Sequence, residues 1–199
     1  MLSGQAIRAE EPAPVDDDAT MARIAARDSL AFSRVVEARA ATLHRVAYRM
    51  LGDAGEAEDV AQEALLRLWA TADRWRAGQA GIAAWLTRVA VNLCLDRLRR
   101  RRFSSDAAVP ERADEAPGAD EAIAAGQLRA AALAALGDLS ERHRAAIVLT
   151  YYEELPNAEA AEVLDMKLKA FESLLLRARG AMRGSLAARG LTSLVEESA

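Results

Sequence analysis

Apolar residues recur at helical spacing along most of the chain. Between about Ala19 and Leu51 they fall at Ile24, Leu30, Phe32, Val35, Val36, Leu43, Val46, Ala47 and Met50, a spacing that predicts helix. Gly52 and Gly55 bracket a turn. The pattern resumes through EAEDVAQEALLRLWATADRW and, after RAGQAG, through IAAWLTRVAVNLCLDRLRRRRF. It stops at SSDAAVPERADEAPGAD, where Pro110, Pro117 and Gly118 stand without apolar periodicity, as in a linker. A second helical unit follows: AIAAGQLRAAALAAL, then SERHRAAIVLTYYEEL with Ser140 placed as N-cap, then NAEAAEVLDMKLKAFESLLLRARGAM, broken at Asp165-Met166. No useful stretch alternates with period two. The pattern predicts an all-α fold of two small helical domains joined by an acidic flexible linker. The expected boundaries are a mobile acidic tail over 1–18, a first domain over 19–102, the linker over 103–121, a second domain over 122–190 and a tail over 191–199.

Composition supports this reading. Alanine, leucine, arginine and glutamate dominate, which favours helix. Apolar residues make up 52% and charged residues 28% of the chain, enough for a core and too apolar for a disordered polymer. The net charge of −4 argues against a protein that simply coats nucleic acid, but the charge is segregated. Residues 1–20 set Arg8 against Glu10, Glu11, Asp16, Asp17 and Asp18, and residues 103–125 set Arg112 against six acids. What remains is basic, so the folded parts carry the positive charge.

Cys94 is the single cysteine, which excludes an internal disulfide and a cysteine-based zinc site; among Val91, Leu93 and Leu95 it reads as a core thiol. His44 and His143 belong to no nucleophile or metal arrangement, and no glycine loop cradles phosphate. No cofactor, metal or small-molecule substrate is therefore expected, nor catalysis. No apolar run approaches the ~20 residues that span a bilayer, and no leader pattern opens the chain, so a cytoplasmic protein without membrane insertion is expected.

The broken stretch at 157–182 meets the physical needs of a helix-turn-helix. Ala161 is small where a second helix would cross, and Ala160, Leu164, Met166, Phe171 and Leu174 fall where they would seal the angle. Asn157 stands as a candidate N-cap, and Asp165 takes the turn position where positive φ usually selects glycine. A second helix lying in a major groove would turn Lys167, Lys169, Glu172, Ser173, Leu176 and Arg177 outward. Arg177 suits guanine, Glu172 suits cytosine N4, and Lys169, Arg179 and Arg183 suit phosphates. A packed αα-hairpin with a solvated face satisfies the same pattern.

Two surfaces of the first domain add weight. In AEDVAQEALLRLW, Asp59, Gln62 and Glu63 share one helix face, opposite Val60, Ala64, Leu65 and Leu68. Such a face suits a basic partner, or simply water. In AAWLTRVAVNLCLDRLRRRR, Trp85, Leu86, Val89, Leu93 and Leu98 mark a buried stripe, leaving Arg88, Asn92, Arg99, Arg100, Arg101 and Arg102 as a basic surface. A last helical turn attracts cations through the macrodipole, but four successive arginines exceed that need, and phosphate binding accounts for the excess.

Together these segments resemble the sigma factors of bacterial RNA polymerase, specifically the small extracytoplasmic-function group. The resemblance rests on GDAGEAEDVAQEALLRLW and WLTRVAVNLCLDRLRR in the first domain, and on LGDLSERHRAAIVLTYYEEL, NAEAAEVL and LLLRARGAMR in the second. It implies core RNA polymerase and promoter DNA as partners, with an anti-sigma factor as regulator. By matching position, Asp59, Gln62 and Glu63 would face the polymerase clamp. Arg88, Asn92, Arg99, Arg100 and Arg101 would meet the minus-ten element, and the connection from Trp75 to Ala84 would receive a base flipped from the non-template strand. Lys169, Glu172, Ser173, Leu176, Arg177 and Arg179 would meet the minus-thirty-five duplex. Departures from the family pattern at Ser140, Asp165, Lys169 and Ala170-Phe171 bear on which promoter is read. A sigma-like decoy for an anti-sigma factor and a plain helix-turn-helix regulator are the rival readings; the latter leaves the first domain unexplained.

Overall fold

The computed structural model describes residues 16–76, 81–103 and 120–191. The expected tails and linker therefore lie largely outside the described residues, at 1–15, 104–119 and 192–199. Within the described residues the chain is helical throughout. The first domain comprises α1 (Asp17–Ala25), α2 (Ser29–Leu51), α3 (Ala54–Thr71), a 3-10 turn (Ala72–Arg74) and α4 (Ile82–Phe103). The second comprises α5 (Asp120–Asp138), α6 (Glu141–Ile147), a π turn (Val148–Tyr152), α7 (Asn157–Val163) and α8 (Leu168–Ala188).

The apolar run expected as one segment from Ala19 to Leu51 is divided. Arg27 adopts φ 66°, and the Asp28 carboxylate then caps α2 by accepting from Leu30 N and Ala31 N, both at 3.0 Å. Those bonds stabilise the charged form and hold the Asp28 carboxyl below its usual pKa, with Arg23 adding to the effect. Periodicity does not register this break, because apolar spacing continues in phase on both sides. The acidic tract also ends earlier than expected. Asp16 caps α1 through Asp18 N and Ala19 N, so Asp17 and Asp18 are helical rather than tail.

The first core gathers Met21, Ile24, Leu43, Val46, Met50, Val60, Leu68, Leu86, Val91 and Cys94, all nearly inaccessible. Burial pushes the Cys94 thiol up to about 12, so it stays protonated and inert, as its apolar neighbours suggested. On α4 the buried stripe is broader than expected. Leu86 and Leu93 are buried, but so are Ile82, Ala90 and Val91, while Trp85, Val89 and Leu98 are only partly covered.

The second core is built on Leu136, Ala145, Ala146, Leu149, Ala160, Ala161, Phe171, Leu175 and Ala178. Ser140 caps α6 through His143 N at 3.4 Å, as predicted. Asn157 does not cap α7: it is the first helical residue, and Pro156 stands at the cap without a side-chain bond.

The domains pack together through polar joints. Arg144, 9% exposed, donates to the Met50 carbonyl at the end of α2 and to the Gly137 carbonyl (2.8 Å) at the end of α5. One guanidinium thus neutralises two helix C-termini, where unpaired carbonyls concentrate negative charge. Burial nonetheless lowers the Arg144 pKa. Beside it, Arg49 pairs with Glu153 at 3.3 Å and lies over the Tyr152 ring at 4.4 Å. Burial raises the Glu153 pKa, a shift that Arg49 partly opposes.

Candidate functional site

The acidic face of α3 begins with a well-built entry. Gly52 closes α2 at φ 72°, and Asp53 caps α3 by accepting from Glu56 N at 2.8 Å. Val60, Ala64, Leu65 and Leu68 are then buried, which turns Asp59 and Gln62 to solvent as predicted. Glu63 differs: it is half-buried and engaged by Arg67 at 2.5 Å and Arg97 at 3.6 Å. Leu66, 63% exposed, lies one turn beyond Gln62 on this face. Sequence analysis missed it, although three apolar residues in the run Ala64-Leu65-Leu66 cannot all point inward.

On α4, Arg88 and Asn92 are exposed one turn apart. Arg88 reaches Asp165 of the second domain at 3.7 Å. The arginine run divides by role. Arg99 and Arg100 are exposed, with Arg99 near Asp96 at 3.5 Å. Arg101 turns inward, pairing with Glu56 at 2.5 Å and donating to the Leu51 carbonyl at 3.4 Å. Arg102 reaches Glu141 at 2.6 Å. Of the connection from Trp75 to Ala84, residues 77–80 lie outside the described residues. At its start Met21, Leu68, Thr71, Arg74, Trp75 and Trp85 line a shallow hollow.

In the second domain the turn forms where the sequence broke. Asp165 adopts φ 52°, the left-handed conformation that the turn position requires. Phe171, Leu174, Leu175 and Ala178 seat α8 on α6 and α7. Lys169, Glu172, Ser173, Leu176, Arg177 and Arg179 are consequently all exposed. Leu176 is 65% exposed, with no packing role in the core. Arg177 Nε donates to the Ser173 carbonyl at 3.1 Å, and Arg179 lies 5.5 Å from the Tyr151 ring centroid.

A two-domain helical protein with an acidic face on one domain and a helix-turn-helix on the other has the build of a transcription initiation factor. The comparisons with known proteins agree. Residues 35–104 match the family Sigma-70 region 2, and residues 129–182 match Sigma-70, region 4. The chain is 30% identical over 171 residues to the ECF RNA polymerase sigma factor SigW of Bacillus subtilis, covering 80% of this chain and 90% of that one. It is 34% identical over 181 residues to the ECF RNA polymerase sigma factor SigL of Mycobacterium tuberculosis, covering 86% and 99%. Among solved structures it is similar to CnrH in complex with the cytosolic domain of CnrY, at 25% identity and a TM-score of 0.67, covering 87% of this chain and 98% of that one. The chain belongs to the extracytoplasmic-function sigma factors, which direct transcription by RNA polymerase.

Proposed function

We propose that this sigma factor docks on core RNA polymerase through the outward face of α3, with Asp59 and Gln62 at its centre and Glu63 and Leu66 at its rim. The basic surface of α4 then meets the minus-ten element through Arg88, Asn92, Arg99 and Arg100, with Arg101 anchoring the helix beneath them. The minus-thirty-five duplex lies along α8, where Glu172, Ser173, Leu176 and Arg177 face base edges and Lys169 and Arg179 face phosphates. The protein acts in the cytoplasm and carries out no catalytic step of its own; the polymerase supplies the chemistry. An anti-sigma factor restrains it. This is supported by the likeness to CnrH, which was solved in complex with the cytosolic domain of a second protein, CnrY.

The observation that carries this reading is the outward face of α8. All six of its predicted DNA-facing residues are exposed, while Phe171, Leu174, Leu175 and Ala178, which seat the helix, are buried. The test is reconstitution with bacterial core polymerase and transcription from genomic fragments. Starts at a shared two-element promoter are expected. Asp59→Arg, placed on an exposed position, is expected to weaken core binding at least about tenfold, because a like charge facing a basic surface is repelled, with an unchanged melting temperature. Unchanged binding would remove the α3 assignment. Core binding without initiation would point to a decoy, and DNA binding without the polymerase would point to an ordinary regulator.

A further inference from the structure

Asp17 and Asp18 belong to the acidic tract, yet neither is an idle surface charge. Asp16 caps α1 so that both lie in its first turn, and Met21 and Ile24, one and two turns on, are buried in the first core. From that anchored turn the two carboxylates reach in sequence-distant directions. The Trp75 indole Nε1 donates to Asp18 Oδ1 at 2.7 Å. The Ile82 amide, the first of α4, donates to Asp17 Oδ2 at 2.8 Å. Asp17 thus caps a helix that begins 65 residues further along the chain, supplying an anion where the α4 amides are unpaired. Gly81 is part of the same joint, since a Cβ there would collide with the Asp17 carboxylate.

We propose that Asp17 and Asp18 are positioning residues for strand opening: they fix Trp75 and the start of α4, which carries Trp85, and the two tryptophans line one hollow beside the minus-ten helix. This rests on the reading that α4 meets the minus-ten strand. Capturing an unstacked base requires walls that are already in place, because each wall residue ordered on binding subtracts from the stacking gained. The pair of acids provides that order from a third element, without touching DNA.

The experiment uses holoenzyme reconstituted with core polymerase and a promoter recovered from its own mapped starts. Binding to the single-stranded non-template minus-ten oligonucleotide and to the minus-thirty-five duplex is measured separately. Asp17→Ala and Asp18→Ala are expected to lose about tenfold or more in single-strand binding, the scale of a lost charge-assisted hydrogen bond. The melting temperature should fall by a few degrees, as the loss of a cap requires, while duplex binding and core association, measured well below it, should hold. Asp17→Asn retains an acceptor for the Ile82 amide and should restore most of the binding. Gly81→Ala should resemble Asp17→Ala, and should add little to it in the double variant. Equal single-strand binding by wild type and both alanine variants overturns the proposal, as does a loss that merely follows the melting temperature. Wild-type holoenzyme that opens promoters but ignores the single strand overturns the minus-ten reading, and the proposal with it.

Discussion

On α4 five of the six arginines lie beside an acid within the chain, Arg88 by Asp165, Arg97 by Glu63, Arg99 by Asp96, Arg101 by Glu56 and Arg102 by Glu141, with Arg100 the exception among the described residues. On α8 no acid pairs with Lys169, Arg177 or Arg179 among the described residues; Arg177 turns back only to a backbone carbonyl of its own helix. The two surfaces thus hold charge in different ways. The charge of the α4 set is partly balanced within the chain, which suits contact with a backbone whose geometry repeats irrespective of sequence. The α8 set keeps its charge unbalanced by any acid among the described residues, so Arg177 can meet a base edge and Lys169 and Arg179 can meet phosphates without first breaking an ion pair.

The sharpest test of that contrast is Arg101→Ala beside Arg100→Ala. Arg101 joins α4 to Glu56 and to the carboxy end of α2, and the second Glu56 oxygen is already buried without a hydrogen-bond partner. Removing Arg101 is expected to cost about 2–3 kcal/mol of stability, since it strands a partly buried carboxylate. Arg100→Ala should change stability by no more than about 0.5 kcal/mol, and instead flatten the salt dependence of promoter binding. Equal denaturant midpoints for the two variants would erase the division of the run.

Arg177→Ala probes the other helix. It is expected to leave stability unchanged and to remove about 1–3 kcal/mol of discrimination at one base pair of the minus-thirty-five element. Competition among single-base variants of that element reads this directly. A uniform loss over all sequences would make Arg177 a phosphate contact and bring α8 closer in character to α4.

The same contrast shows what the sequence made legible. Helix-turn-helix geometry is local: Ala161, Phe171 and Leu174 declare it through spacing, and Asp165 sits where the turn demands positive φ. The outward residues of α8 follow once its buried face is known. The α4 surface depends instead on which distant acids meet which arginines. Nothing in RRRR distinguishes the inward Arg101 from the outward Arg100, because Glu56 is brought to it only by packing of α3 on α4. The break at Arg27-Asp28 and the work of Asp17 were hidden for a similar reason. A non-local cap leaves no spacing signal, and an acidic tract reads as solvated by default. Periodicity names the helices and their buried faces; long-range polar partners have to be seen.

Asp165 joins the two surfaces and gives the smallest effect. Its φ of 52° costs an L-residue about 1 kcal/mol, less for aspartate than for most residues. Its bond to Arg88 is long, 3.7 Å, and the Asp165 side chain is 94% exposed, so that pair contributes only a few tenths of a kcal/mol. Asp165→Gly relieves the strain and loses the pair, and glycine's extra freedom in the unfolded chain offsets part of the gain. The expected net effect is a stabilisation of about 0.5 kcal/mol, read as a small rise in the denaturant midpoint with an unchanged slope. If the variant is destabilised instead, the Arg88–Asp165 contact contributes more than its exposure allows. The α4 surface would then be held by the second domain as firmly as Arg101 is held by Glu56.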